Sequence, residues 1–137
     1  MRYYYQENFE NLPSRSWALL LEKVLMEATH LGVCTGFSKG TFSEAFINAI
    51  TSLPENIYRV YAATQRFRLT NAVISEVRSK EYQSWDSTDS EDPAFYQNDV
   101  LLLGTISHED LVIMLLDEPD RNALNSSGFS FYKEYKF

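Results

Sequence analysis

The chain has 137 residues, 45% of them apolar, and a formal net charge of −7. That length suits one ordinary domain with a sizeable core, and the apolar share argues against disorder. The negative balance disfavours direct nucleic-acid binding by the chain as a whole, because neutralising phosphates requires a net basic face.

The longest apolar run, Leu111 to Leu116, falls far short of the roughly 20 residues that span a bilayer. The first residues, Met1-Arg2-Tyr3-Tyr4-Tyr5, lack the apolar stretch of a secretory signal. Cys34 is the only cysteine, so no intramolecular disulfide is possible. Together these features predict a cytoplasmic protein with no membrane role.

The tyrosine-rich residues 2–6 predict a short strand. A helix follows from about Ser16 to Leu31, with Trp17, Leu20, Leu21, Val24, Leu25, Ala28 and Leu31 on one face. Pro13 with Ser14 or Ser16 opens it, and Gly32 closes it as the residue past its end. A second helix is predicted over Phe42 to Leu53, started by Thr41 and Glu44 at capping-box spacing and stopped by Pro54. Ile57 to Ala63 is rich in β-branched and aromatic residues and predicts a strand. A third helix, from about Asn71 to Lys80, takes Thr70 as its N-cap and buries Ala72, Val73 and Val77.

Residues 82–99 mix acids with Ser84, Ser87, Thr88, Ser90 and Pro93, and predict a long exposed loop. Beyond it, Val100 to Ile106, Leu111 to Leu116 and Phe129 to Phe137 predict strands of an antiparallel meander. Ser107 and Asp110 also resemble a helix start, but a helix over Leu111 to Glu118 would be apolar on every side, so the strand is preferred. The expectation is a single α+β domain over 1–137. About three helices, drawn from a helical half over 12–81, pack on one face of a small, mostly antiparallel sheet. An acidic loop over 82–99 joins that half to a β-rich part over 100–137.

Charge is unevenly placed. Between Glu81 and Asp120 stand eleven acids and no Lys or Arg. The preceding stretch carries Arg59, Arg66, Arg68, Arg78 and Lys80 against Glu76 alone. Phe67 between Arg66 and Arg68 is a pattern that can bind a nucleic-acid strand; the simpler expectation is that these cations solvate a strand end or pair with the acidic segment.

Chemistry-bearing motifs are sparse. The chain has no G-x-G-x-x-G, P-loop, H-E-x-x-H or C-x-x-C. Cys34 follows His30 by four residues, and such a pair can make a thiolate nucleophile if the two meet; the plainer reading is a small buried thiol and a histidine at a helix end. His108-Glu109-Asp110 sets an imidazole beside two carboxylates, as general acid–base work needs, and is equally ordinary in a soluble turn. The run Asp86-Ser87-Thr88-Asp89-Ser90-Glu91-Asp92 offers oxygen ligands for calcium but departs from the EF-hand pattern, with Glu91 where glycine belongs. No catalytic residue, cofactor or metal site follows.

The acidic segment itself points to a partner. Tyr82, Trp85, Asp86, Asp89, Glu91, Asp92, Phe95 and Tyr96 combine aromatic anchors with a single sign of charge, which suits a protein interface that steers in a basic partner. Solvating surface is the bland alternative for such a run. The expected function is an acidic inhibitor that occludes a basic protein such as a nuclease-like toxin, in the manner of bacterial toxin-immunity proteins. The alternatives are a phage-encoded nucleic-acid mimic, a small enzyme using His108 or Cys34 with His30, and a calcium-stabilised structural protein. The sequence leaves the oligomeric state open.

Overall fold

The computed structural model describes residues 1–35, 42–55, 57, 64–85 and 91–137. Among these, twelve helices and strands run in the order β1 (Arg2–Gln6), α1 (Ser16–Leu25), β2 (His30–Cys34), α2 (Glu44–Ile47), β3 (Ile50–Thr51), β4 (Thr64–Arg68), α3 (Asn71–Arg78), β5 (Glu91–Gln97), β6 (Val100–Ile106), β7 (Leu111–Leu116), α4 (Glu118–Ser126) and β8 (Lys133–Glu134). The strands form one sheet in the order β3-β4-β2-β5-β6-β7-β1-β8. Every neighbouring pair is antiparallel. The fold is thus the expected α+β domain, with a larger sheet than the sequence suggested.

Strand alternation divides the core into two sides. Leu31, Val33, Phe67, Phe95, Leu103, Val112, Met114 and Leu116 share one cluster with Trp17, Leu20, Leu21 and Val24 of α1, Phe46 of α2, and Val73 and Val77 of α3. Leu124 of α4 packs against the same cluster. The helices therefore gather on one face. The opposite face holds two smaller clusters, one around Ile57, Ala94, Tyr96 and Leu101, the other around Ile106, Leu111 and Ile113. β7 is apolar along its whole length because both of its faces are covered.

Several expectations are corrected. The first helix stops at Leu25, and His30 to Cys34 form β2 instead of its last turn. Gly32 is therefore a strand residue facing Arg66 and Ala94, not the end of a helix. The second helix shrinks to Glu44–Ile47, capped by the Ser43 hydroxyl, which accepts the Phe46 N–H. Thr41, its expected cap, and nearly all of the predicted strand Ile57 to Ala63 lie outside the described residues. α3 has the predicted cap, with the Thr70 hydroxyl accepting the Val73 N–H at 3.2 Å, although Ala72 is exposed.

The last third holds a helix that the apolar spacing did not predict. α4 opens on Asp117, whose carboxylate accepts the Asp120 N–H at 2.8 Å, with Pro119 in its first turn. Of the predicted strand Phe129 to Phe137, only Lys133–Glu134 pairs, and it pairs with β1 rather than β7. Side chains satisfy the backbone just before it: Ser130 N–H donates to Gln6 Oε1 and Phe131 N–H to Asn125 Oδ1. β6 and β7 form the expected hairpin, but β1 sits between β7 and β8, so the third strand of the meander is β5 and not the C-terminal one.

Candidate functional site

The predicted exposed loop is, over much of its described part, interior structure. Tyr82–Trp85 make a 3₁₀ turn and Glu91–Gln97 make β5, a central strand between β2 and β6. Trp85, Phe95 and Tyr96 are each at most 1% exposed, so none of them can anchor a partner. Phe95 points into the helix-covered core and Tyr96 into the opposite face, as neighbours on a strand must. Asp92 is also buried, and its Oδ1 accepts the Ser107 N–H at 2.6 Å. Tyr82 and Glu91 are half-buried. Asp86 and Asp89 lie outside the described residues. The six described members of the predicted set therefore do not form one surface.

Acidity is instead assembled at the end of the sheet where the β6–β7 turn meets the residues after β1. Asp110, in the left-handed conformation that closes the turn at Ser107–Glu109, is the hub. Its carbonyl accepts the Phe9 N–H, and its carboxylate accepts the Glu10 N–H at 3.2 Å and the Tyr82 hydroxyl at 2.9 Å. Burial, reinforced by Asp110, Glu10 and Asp92, pushes the Tyr82 phenol far above its ordinary value, so Tyr82 is a fixed neutral donor. Glu7 and Glu109 line one open hollow, together with Tyr5, Leu111, Tyr135 and the ion-paired Glu134 and Lys136. Glu10 and Glu81 line a second, a notch of about 120 Å³ walled by Phe9, Trp17 and Tyr82. These rings pack on one another, with Phe9–Tyr82 centroids 4.7 Å apart and Trp17–Tyr82 5.5 Å apart.

Two cations border this end, Lys133 and Lys136, and Lys136 is paired with Glu134 at 2.8 Å. Of Glu7, Glu10, Glu81, Glu109 and Asp110, only Glu7 has an ion pair among the described residues, with Lys133 at 3.8 Å. Elsewhere the basic stretch does meet the acidic one, as expected: Arg66 lies 3.8 Å from Asp99, donates to the Asn98 carbonyl, and stacks over Tyr96 at 5.6 Å. Sequence reasoning included Tyr82 but missed Glu7, Glu10 and Asp110 as its companions. They are about 30 to 75 residues away from it along the chain, and only the β1–β7 pairing brings them together.

The other candidates separate. His30 and Cys34 are both on β2, where four residues span roughly 13 Å, so they cannot act as a pair. The Thr29 hydroxyl lies 2.7 Å from His30 Nδ1, and burial with the nearby Arg66 holds the imidazole below its ordinary value. His108 stands exposed on the 3₁₀ turn, and the hollow beside that turn is lined by Glu109 rather than by His108. Of the calcium-like run, the described members Glu91 and Asp92 belong to β5.

No family model, curated protein or solved structure matches the chain.

Proposed function

We propose that the chain is an acidic protein-binding inhibitor that occludes a basic partner, a role of the kind that bacterial toxin-immunity proteins perform against nuclease-like toxins. One observation carries this reading: the end of the sheet formed by Glu7, Glu10, Glu81, Glu109 and Asp110 gathers five carboxylates with a single ion pair among the described residues, around an aromatic-walled notch. Uncompensated charges of one sign repel each other and cost stability. A basic partner offsets that cost, and its Lys or Arg side chains gain by meeting Glu10 and Glu81 beside the half-buried Tyr82 ring, the buried Phe9 and Trp17 serving only to hold that ring in place. Such electrostatic docking is fast and weakens with salt. The reading places the chain in the cytoplasm, where a lone thiol such as Cys34 stays reduced.

The test compares the tagged wild-type chain with a Glu10→Lys, Glu81→Lys, Glu109→Lys variant as baits in lysate of the source cell, at low and high salt. A basic protein held stoichiometrically by the wild type at low salt, and lost by the variant, supports the reading. Equal capture by both baits, or capture indifferent to salt, overturns it.

A further inference from the structure

A second feature stands one layer inside the acidic end, where β5 departs from regular pairing. Gly32 faces Ala94 and Cys34 faces Glu91, so a single residue of β2, Val33, stands opposite two of β5, Asp92 and Pro93. This is a β-bulge. Pro93 has no N–H to give to the ladder, and Asp92 takes a left-handed conformation at φ 53°, so the bulge accommodates both. Its consequence is chemical. The bulge turns Glu91 and Asp92 toward Cys34, and the thiol sulfur and a carboxylate oxygen of each acid all lie within 4.8 Å of one another.

Two properties of this cluster call for a cation. Asp92 is 5% exposed and has no ion pair among the described residues, so its carboxylate is held out of water with only a backbone N–H to offset its charge. Cys34 is 8% exposed, and its thiol has no hydrogen-bond partner among the described residues although it stands against both acids. A buried thiol packed only for its bulk has no need of two carboxylates beside it. We propose that Cys34, Glu91 and Asp92 form a binding site for a thiophilic divalent cation of the zinc class.

The donor set selects the ion. A thiolate is a soft ligand that calcium and magnesium refuse, whereas zinc accepts sulfur and carboxylate oxygen together. Bonds of about 2.0–2.3 Å around a tetrahedral ion space its donors by about 3.5 Å. Loading therefore draws the three donors together from separations of at most 4.8 Å. Asp92 is already aimed, because the Ser107 N–H fixes its Oδ1. Binding converts the Cys34 thiol to thiolate and releases its proton to solvent, so affinity rises with pH. With three protein ligands, a fourth position remains for water or for a donor from a partner.

The site is tested with Co²⁺, whose bond to thiolate gives a charge-transfer absorption, and with Zn²⁺, which has none but competes. The wild type should develop the band to a 1:1 endpoint, lose it to added Zn²⁺, and gain on the order of 8 °C in Tm at a hundredfold excess of Zn²⁺ over its Kd, with no gain from Ca²⁺. Cys34→Ser should abolish the band. Glu91→Gln and Asp92→Asn should each weaken Co²⁺ binding by at least about tenfold. The amide introduced by Asp92→Asn keeps an acceptor for the Ser107 N–H, and Glu91 is half-buried, so both variants are expected to fold, which circular dichroism checks. No band in the wild type, a band surviving in Cys34→Ser, or affinity unchanged in both carboxylate variants overturns the proposal. None of these readouts depends on a basic partner, so this site and the inhibitor reading stand or fall separately.

Discussion

Two stretches rich in acids and aromatics differ in what the fold makes of them. Residues 91–97 carry Glu91, Asp92, Phe95 and Tyr96 in one run, and the fold turns that run into a central strand with its rings on opposite faces of the sheet. The acidic end draws Glu7, Glu10, Glu81, Tyr82, Glu109 and Asp110 from three distant segments and holds them together through Asp110. Proximity in sequence produced an interior element, whereas a predominantly acidic surface, bordered by Lys133 and Lys136, arose from residues that the fold makes neighbours. A charged, aromatic segment is therefore evidence for an interface only once its periodicity has been tested against a strand.

The largest effect is expected at Phe95, which is fully buried among the helix-side residues. Phe95→Ala should cost about 3–5 kcal/mol in urea denaturation, through lost transfer energy and an unfilled cavity. A loss under about 1 kcal/mol would place this segment back at the surface. A smaller effect is expected at Asp117, whose carboxylate caps α4. Asp117→Ala should cost about 1 kcal/mol by the same assay, with the loss confined to stability and leaving partner capture intact.

His30 sharpens the contrast through pH. Burial and Arg66 hold its folded value below the ordinary one, so on acidification the unfolded chain takes up the proton first. The neutral imidazole thus contributes stability that is full above pH about 6.5 and is lost as pH falls through the folded value. His30→Gln should flatten the stability profile below pH about 6.5, as followed by Tm against pH, while leaving the alkaline side unchanged. The smallest effect on stability belongs to the acidic end itself. Glu10→Gln with Glu81→Gln should change stability by no more than about 0.5 kcal/mol, in the favourable direction, because both side chains are exposed and repel their neighbours. Measurable destabilisation would mean that these acids serve the fold.

What the sequence disclosed follows from how periodic each element is. β6 was legible as an apolar run and α3 from its spacing and the Thr70 cap; β1 was read from its tyrosines, and β7 was preferred over a helix only because a helix there would be apolar on every side. β4 went unseen because Arg66 and Arg68 alternate with Phe67, and a charged alternation resembles surface until Arg66 is found 3% exposed. β5 was hidden by Pro93 and the acids around it, which a bulge accommodates in a central strand. Leu31 continued the spacing of α1 although it belongs to β2, so the helix was drawn too long. α4 was readable in principle from Asp117, Pro119 and Asp120, an N-cap followed by first-turn signals, but its few apolar residues gave no periodicity. The acidic end was only partly legible, since no local pattern announces that Glu10 meets Asp110 across a hundred positions of sequence.

On the proposed function, basic surfaces dock on this acidic end and not on β5. The most direct measurement is a two-dimensional amide NMR titration of the chain with a decalysine peptide, a minimal basic partner, at low and high salt. The account predicts saturable, salt-sensitive shifts at residues 7–10, 81–83 and 107–110 and at the Trp17 indole, with the amides of Ala94, Phe95 and Tyr96 little changed. Shifts centred on β5 or scattered without saturation, or none at low salt, would contradict it.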